Sequence, residues 1–126
     1  QINVTLKVDQ ELKFKTSEDI LIVIFDNLIL NTIQQNEKAE KINISIDIKN
    51  ENGCLNCVYQ DNGKGLAKKY QNNPRLILEV HESTRSDGHG LGMWIINNTC
   101  ESSGGHVLDI AGTNGFLIRF TIGDKI

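Results

Sequence analysis

The chain has 126 residues, 39% apolar and 23% charged, with a formal net charge of −3; this is the length of one folded domain, with a composition near the soluble globular average rather than a disordered, fibrous or membrane one. Its 13 Lys and Arg residues are scattered along the chain, which argues against a nucleic-acid partner. The longest strongly apolar run, residues 20–25, is far short of the ~20 residues that span a bilayer, and three cysteines are too few and too odd a set for a disulfide framework, so a reducing, cytoplasmic setting without membrane contact is expected.

Val4, Leu6 and Val8 alternate with polar residues, and Leu12 and Phe14 repeat the pattern after a polar turn, which predicts two short strands. Thr16-Ser17-Glu18-Asp19 offers a capping hydroxyl followed by acidic groups, so a helix should begin near Ser17. Ile20, Ile24, Leu28 and Ile33 carry its apolar stripe until the polar tract that starts at Gln34, and the helix should end between Asn36 and Lys38. Ile42, Ile44, Ile46 and Ile48 alternate strictly with polar residues, the clearest strand signal in the chain. Asn52-Gly53 is a hairpin turn that should bring Leu55, Cys57 and Tyr59 back antiparallel to it.

Periodicity fades from Asp61 to Asp87, as in a functional lid over about residues 62–87, with a short helix near residues 75–80. A further helix is predicted over residues 91–100, stopped by Ser102-Ser103-Gly104-Gly105, and two closing strands over residues 107–110 and 116–122. This order predicts one α+β domain over residues 1–126: a two-layer sandwich of a mixed, mostly antiparallel sheet of about five strands on about three helices. Cys54 and Cys57 form a C-x-x-C, but a strand turns positions three apart to opposite faces, so they are read as packing residues and not as metal ligands.

Three motifs carry chemistry. Asn27 and Asn31 lie four residues apart on the first helix, on one face, where two carboxamides can hold a hydrated magnesium ion and its phosphates. Asp61-Asn62-Gly63-Lys64-Gly65-Leu66 follows a strand. A carboxylate there can accept the exocyclic amine of adenine, while glycines let the backbone turn close to the base. Gly88-His89-Gly90-Leu91-Gly92-Met93 opens a helix, bringing backbone N–H groups and the positive end of the helix dipole to phosphate; no Gly-Lys-Ser/Thr follows, so it is not a Walker loop.

In this order the three motifs resemble the asparagine box and the two glycine boxes of the GHKL (Bergerat-fold) ATPase superfamily, nearest to the ATP-binding catalytic domain of bacterial sensor histidine kinases, over about residues 17–123. Residues 77–85 are similar to the lid segment of those kinases, with Arg85 at a basic, phosphate-facing position. The resemblance implies that Asn31 and Asn27 coordinate Mg2+, that Asp61 reads adenine, that Gly63 and Gly65 shape the base pocket, and that Gly88, Gly90, Leu91 and Gly92 line the triphosphate of ATP. It further implies phosphoryl transfer, with Asn27, Asn31 and Arg85 as the catalytic set, to a histidine on a dimerisation/phosphoacceptor domain of the same longer protein, and through it to a response regulator.

The chain also departs from the pattern. Gln34-Gln35 stands where many such kinases have Lys-Tyr; Lys38 would supply the missing charge if the helix continued. Gly115-Phe116 replaces a Gly-Thr pair whose hydroxyl often supports the adenine carboxylate. His81-Glu82-Ser83-Thr84 falls in the expected lid and is not read as a phosphoacceptor. A serine kinase or ATPase switch protein of the same superfamily, or a degenerate nucleotide-binding regulatory module, are the alternative functions.

Overall fold

In the computed structural model, which describes residues 2–8, 18–51, 53–66, 68–79 and 93–123, the four isoleucines form the inner row of strand β2 (Ile42–Glu51), each at most 8% exposed. Strand β3 (Cys54–Asp61) runs antiparallel to it with Glu51 opposite Cys54, so a two-residue connection closes the hairpin at the Asn-Gly position. Period-two alternation then sends Leu55, Cys57, Tyr59 and Asp61 of β3 to the buried side. The last of these inward positions is thus a carboxylate where the pattern calls for an apolar residue.

Strand β1 (Ile2–Val8) pairs parallel with β2, Ile2 opposite Ile42 through Val8 opposite Ile48. Strands β4 (Val107–Ala111) and β5 (Leu117–Ile122) form a closing hairpin, giving the order β1-β2-β3-β5-β4. The sheet is mixed, with one parallel and three antiparallel pairings, as expected. A helix lies between the two strands of the parallel pair in chain order. The expected second strand, at Leu12 and Phe14, lies outside the described residues.

Helix α1 (Glu18–Gln35) places Ile24, Leu28 and Thr32 on its inner face, four residues apart, all at most 2% exposed. Helix α3 (Trp94–Ser102) adds Ile96 and Cys100. Both meet Ile44, Tyr59, Ile118 and Phe120 of the sheet in one core, and the rings of Phe25 and Phe120 pack tilted at 5.8 Å between centroids. Each fully buried side chain of this kind contributes about 1.5–3 kcal/mol. α3 ends in a Schellman motif, Gly104 N–H donating to the Glu101 carbonyl and Gly105 N–H to that of Cys100.

The segment after β3 carries only short pieces: helix α2 (Lys68–Gln71), which has no periodic signal, and a 3-10 helix (Pro74–Glu79) where a short helix was expected. Pro74 suits that first position because its missing N–H has no partner there to lose. Leu78 is buried as part of the core. No helix among the described residues is long and apolar enough to cross a membrane.

Candidate functional site

The site begins where the core turns polar. Asp61, 4% exposed, ends β3. A buried carboxylate is costly unless hydrogen-bonded, and three donors meet this one. Its Oδ1 accepts from the backbone N–H of Gly63 at 2.9 Å and of Phe116 at 3.1 Å, and its Oδ2 accepts from the Thr32 hydroxyl at 2.8 Å. The Thr32 and Tyr59 hydroxyls lie 2.6 Å apart, and the Tyr59 hydroxyl is 3.1 Å from the Leu28 carbonyl. Burial pushes the Tyr59 phenol above its ordinary range, against the opposing effect of the hydrogen bond shared with Thr32, and the nearby Asp61 charge adds to the rise. Tyr59 is therefore a neutral donor throughout the physiological range.

Neither Thr32 nor Tyr59 was singled out by motif, yet both were findable. Thr32 extends the Ile24–Leu28 stripe by one turn, and Tyr59 precedes Asp61 by one strand period. Phe116 also acquires a different meaning. It lacks the hydroxyl expected to support the carboxylate, but its backbone N–H donates to Asp61 and a hydroxyl arrives from α1 instead.

The loop after Asp61 is tied on three sides. Asn62 pairs with Asn43 of β2 through its backbone N–H and its carboxamide oxygen. Asn36, just past α1, donates to the Thr32 carbonyl at 2.8 Å and accepts from Lys64 N–H at 3.0 Å, and a Cβ on Gly63 would land on this carboxamide. Gly65 has φ +77° and lies against the Gly112 carbonyl, while Gly115 has φ +81° against the Asp61 carbonyl. Side chains rarely adopt such φ, and neither position has room for one. The two glycines expected to shape a base pocket thus follow Asp61 closely, Gly63 held against the Asn36 carboxamide and Gly65 against the β4–β5 turn.

Asn27 and Asn31 are half-buried on α1, on the flank of its inner stripe. Asn27 Nδ2 donates to the Val23 carbonyl at 2.7 Å, and Asn31 Nδ2 donates to the Met93 sulfur at 2.9 Å. Among the described residues neither carboxamide oxygen has a hydrogen-bond partner, which leaves two hard oxygen donors one helical turn apart. Such a set fits magnesium, which keeps several waters and takes few protein ligands beside substrate phosphates. No group of three or more His, Cys, Asp or Glu among the described residues could hold a metal, and Cys54, Cys57 and Cys100 are free thiols.

Helix α1 stops at Gln35, so the condition set for Lys38, a continuing helix, is not met; Lys38 is exposed in the turn that follows. Gln34 is half-buried and Gln35 exposed. Arg85, Gly88, Gly90, Leu91 and Gly92, with most of the expected lid tip, lie outside the described residues. Met93, at the foot of α3 and in contact with Asn31, is the part of the second glycine motif that is described.

Residues 16–124 match the family described as histidine kinase-, DNA gyrase B- and HSP90-like ATPase. The structure is similar to the catalytic domain of histidine kinase ThkA, with a TM-score of 0.75 at 21% identity over 98% of this chain and 79% of that one. It is also similar to the mycobacterial sensor histidine kinase MprB, with 0.71 at 18% over 96% and 80%. Full-length ShkA, solved in complex with AMPPNP, gives 0.67 at 23% over 96% of this chain and 25% of that one. No curated protein matches the chain in sequence.

Proposed function

This chain belongs to the histidine kinase-, DNA gyrase B- and HSP90-like ATPase family, and we propose that within it the chain binds Mg-ATP and donates the γ-phosphoryl group to a histidine on a separate dimerisation domain. The observation that carries this reading is the Asp61 carboxylate, buried at the end of β3 with both oxygens oriented by protein donors, on a fold shared with histidine kinase catalytic domains. Asp61 accepts the adenine amine. Gly63 and Gly65 hold the loop against the base, and Asn27 and Asn31 offer their carboxamide oxygens to the magnesium ion.

Magnesium supplies charge neutralisation at the phosphates, which a loose phosphoryl-transfer transition state needs more than covalent help. The protein's share is positioning. Arg85 is the cation assigned to the phosphates, and Gly88, Gly90, Leu91 and Gly92 the backbone assigned to the triphosphate. The acceptor histidine belongs to a helical domain that relays the phosphoryl group to a response regulator.

Titration with a non-hydrolysable ATP analogue, with and without magnesium, tests the binding step. Magnesium-strengthened binding with a Kd below roughly 1 mM is expected, in the usual range for enzyme substrates. Undetectable binding at that concentration would leave a regulatory module without nucleotide. Incubation of the longer protein with labelled ATP then tests the acceptor. Acid-labile phosphoprotein is expected, whereas acid-stable label would assign the activity to serine.

A further inference from the structure

The hydroxyls of Thr32 and Tyr59 stand behind Asp61 in a line that no motif predicts. Thr32 sits at the end of an apolar helical stripe, where valine would pack equally well, and Tyr59 sits at an inward strand position otherwise filled by Leu55 and Cys57. Proton count and distance together give the line its direction. As a carboxylate Asp61 has none to give, so the single Thr32 proton goes to Oδ2 at 2.8 Å. The phenolic proton of Tyr59 has the Thr32 oxygen at 2.6 Å and the Leu28 carbonyl at 3.1 Å, so the shorter contact is read as a donation from Tyr59 to Thr32, with the carbonyl sharing the proton.

The acceptor capacity of Asp61 is divided unevenly as a result. Oδ1 already takes two backbone N–H groups, from Gly63 and Phe116, while Oδ2 takes one hydroxyl. A carboxylate oxygen accepts about two hydrogen bonds, so Oδ2 is the oxygen with room for a ligand donor. The line cannot reverse to offer a donor unless Asp61 itself carries a proton. A base with a carbonyl at that place would meet acceptor against acceptor.

We propose that Thr32 and Tyr59 are positioning residues for base selection: the directed chain from Tyr59 through Thr32 to Asp61 holds Oδ2 as an acceptor-only group and sets the preference of this pocket for a purine bearing an exocyclic amine. This deepens the adenine-nucleotide reading above and rests on it. Two observations support the chain as a built device. The buried phenol is held neutral, and so remains a donor. The ring of Phe116 packs tilted against that of Tyr59 at 6.4 Å between centroids, which shields the relay from water while the backbone of Phe116 serves Oδ1. The departure at position 116 and the hydroxyl at position 32 thus form one arrangement, in which the hydroxyl comes from the helix and the aromatic ring from the hairpin.

The test compares the affinities of a non-hydrolysable ATP analogue and of the matching analogue whose purine lacks the amine. Thr32→Val should weaken the ATP analogue about ten-fold, the scale of one hydrogen bond to a charged group, and change the desamino analogue less than about two-fold. Thr32→Ser should restore binding. Tyr59→Phe should give a smaller loss, about three-fold, and none in the Thr32→Val background, because the two act in series. Equal losses for both nucleotides, or no loss, overturn the proposal by showing that the hydroxyls only pack. If Thr32→Val does not fold, Tyr59→Phe and Thr32→Ser decide by the same ratio. Asp61→Asn separates the two levels of inference. Should it leave the ATP analogue unaffected, the adenine reading falls and the relay with it. Should it weaken the analogue while the hydroxyl variants are silent, the relay alone falls.

Discussion

The two ends of the α1 face are built on different principles. At the Asp61 corner both carboxylate oxygens are engaged, by two backbone N–H groups and a hydroxyl. A Cβ on Gly65 or Gly115 there would run into neighbouring backbone carbonyls. At the asparagine end, one and two turns before the end of the helix, each carboxamide uses only its nitrogen. Asn27 spends it on its own helix and Asn31 on a thioether, a weak acceptor. The corner is part of the fold, with the proposed base contact added to the end of the core, whereas the proposed magnesium face is carried by one helix. Substitutions at the corner should therefore damage stability and binding together, and those at the asparagines should damage function alone.

The largest expected effect is structural. Gly65→Ala forces a left-handed φ on a residue with a Cβ, at about 1–2 kcal/mol, and drives that Cβ into the Gly112 carbonyl, at about 1–3 kcal/mol. A loss of about 3 kcal/mol of unfolding free energy in denaturant melts should result. If the variant instead stays within about 1 kcal/mol of the parent, the loop yields and the corner is less firmly built than the contrast claims.

How far the contrast could be read from sequence depends on range. Ile42 to Ile48 alternate so strictly that strand, face and hairpin partner followed from period and turn alone, and the structure returns all three. Asp61 stood out as a carboxylate just past a strand and before two glycines, and the structure makes it the last inward residue of β3 itself. Thr32 was legible only as the next inward position of the α1 stripe. Its partners lie 27 and 29 residues away, and helical period assigns a face but not the neighbour on it. The parallel pairing of β1 and α2's single turn share that character, because a register across a crossover and a four-residue helix both depend on tertiary contacts. Local sequence chemistry also failed at Phe116, where the contact is made by the backbone, and a backbone N–H has no sequence signature.

At the asparagine end the expected effects separate. Asn31→Ala removes a half-buried amide from a sulfur acceptor, so unfolding free energy should change by no more than about 0.5 kcal/mol. Magnesium-dependent phosphoryl transfer should fall on the order of 100-fold, the usual cost of losing one aimed electrostatic partner. A melt that shifts as far as that of Gly65→Ala would make Asn31 a structural residue and erase the difference between the two ends.

The smallest effect is expected at the thiols, which report on the packing beneath each end. Cys57 lies two residues before Tyr59 on the corner strand, and Cys100 lies on α3, two turns past Met93. Burial pushes both thiols up to about 12, with Cys100 adding to the shift of Cys57 and Glu101 to that of Cys100. Both are thus almost wholly protonated at pH 8, and a thiol reagent needs the thiolate. Alkylation of the native protein at pH 8 should mark Cys54, the half-buried thiol, and spare the other two. Asn31→Ala should keep that pattern, whereas Gly65→Ala should label all three by raising the unfolded population. The sign with pH follows from the same values. From the ordinary thiol value of 9.0 up to about 12 the unfolded chain loses protons that the folded one keeps, so stability should decline across that window and labelling of Cys57 and Cys100 should rise with it. Labelling of Cys100 but not Cys57 in Asn31→Ala would show that the Met93 contact holds α3 in place, making the asparagine face as structural as the corner.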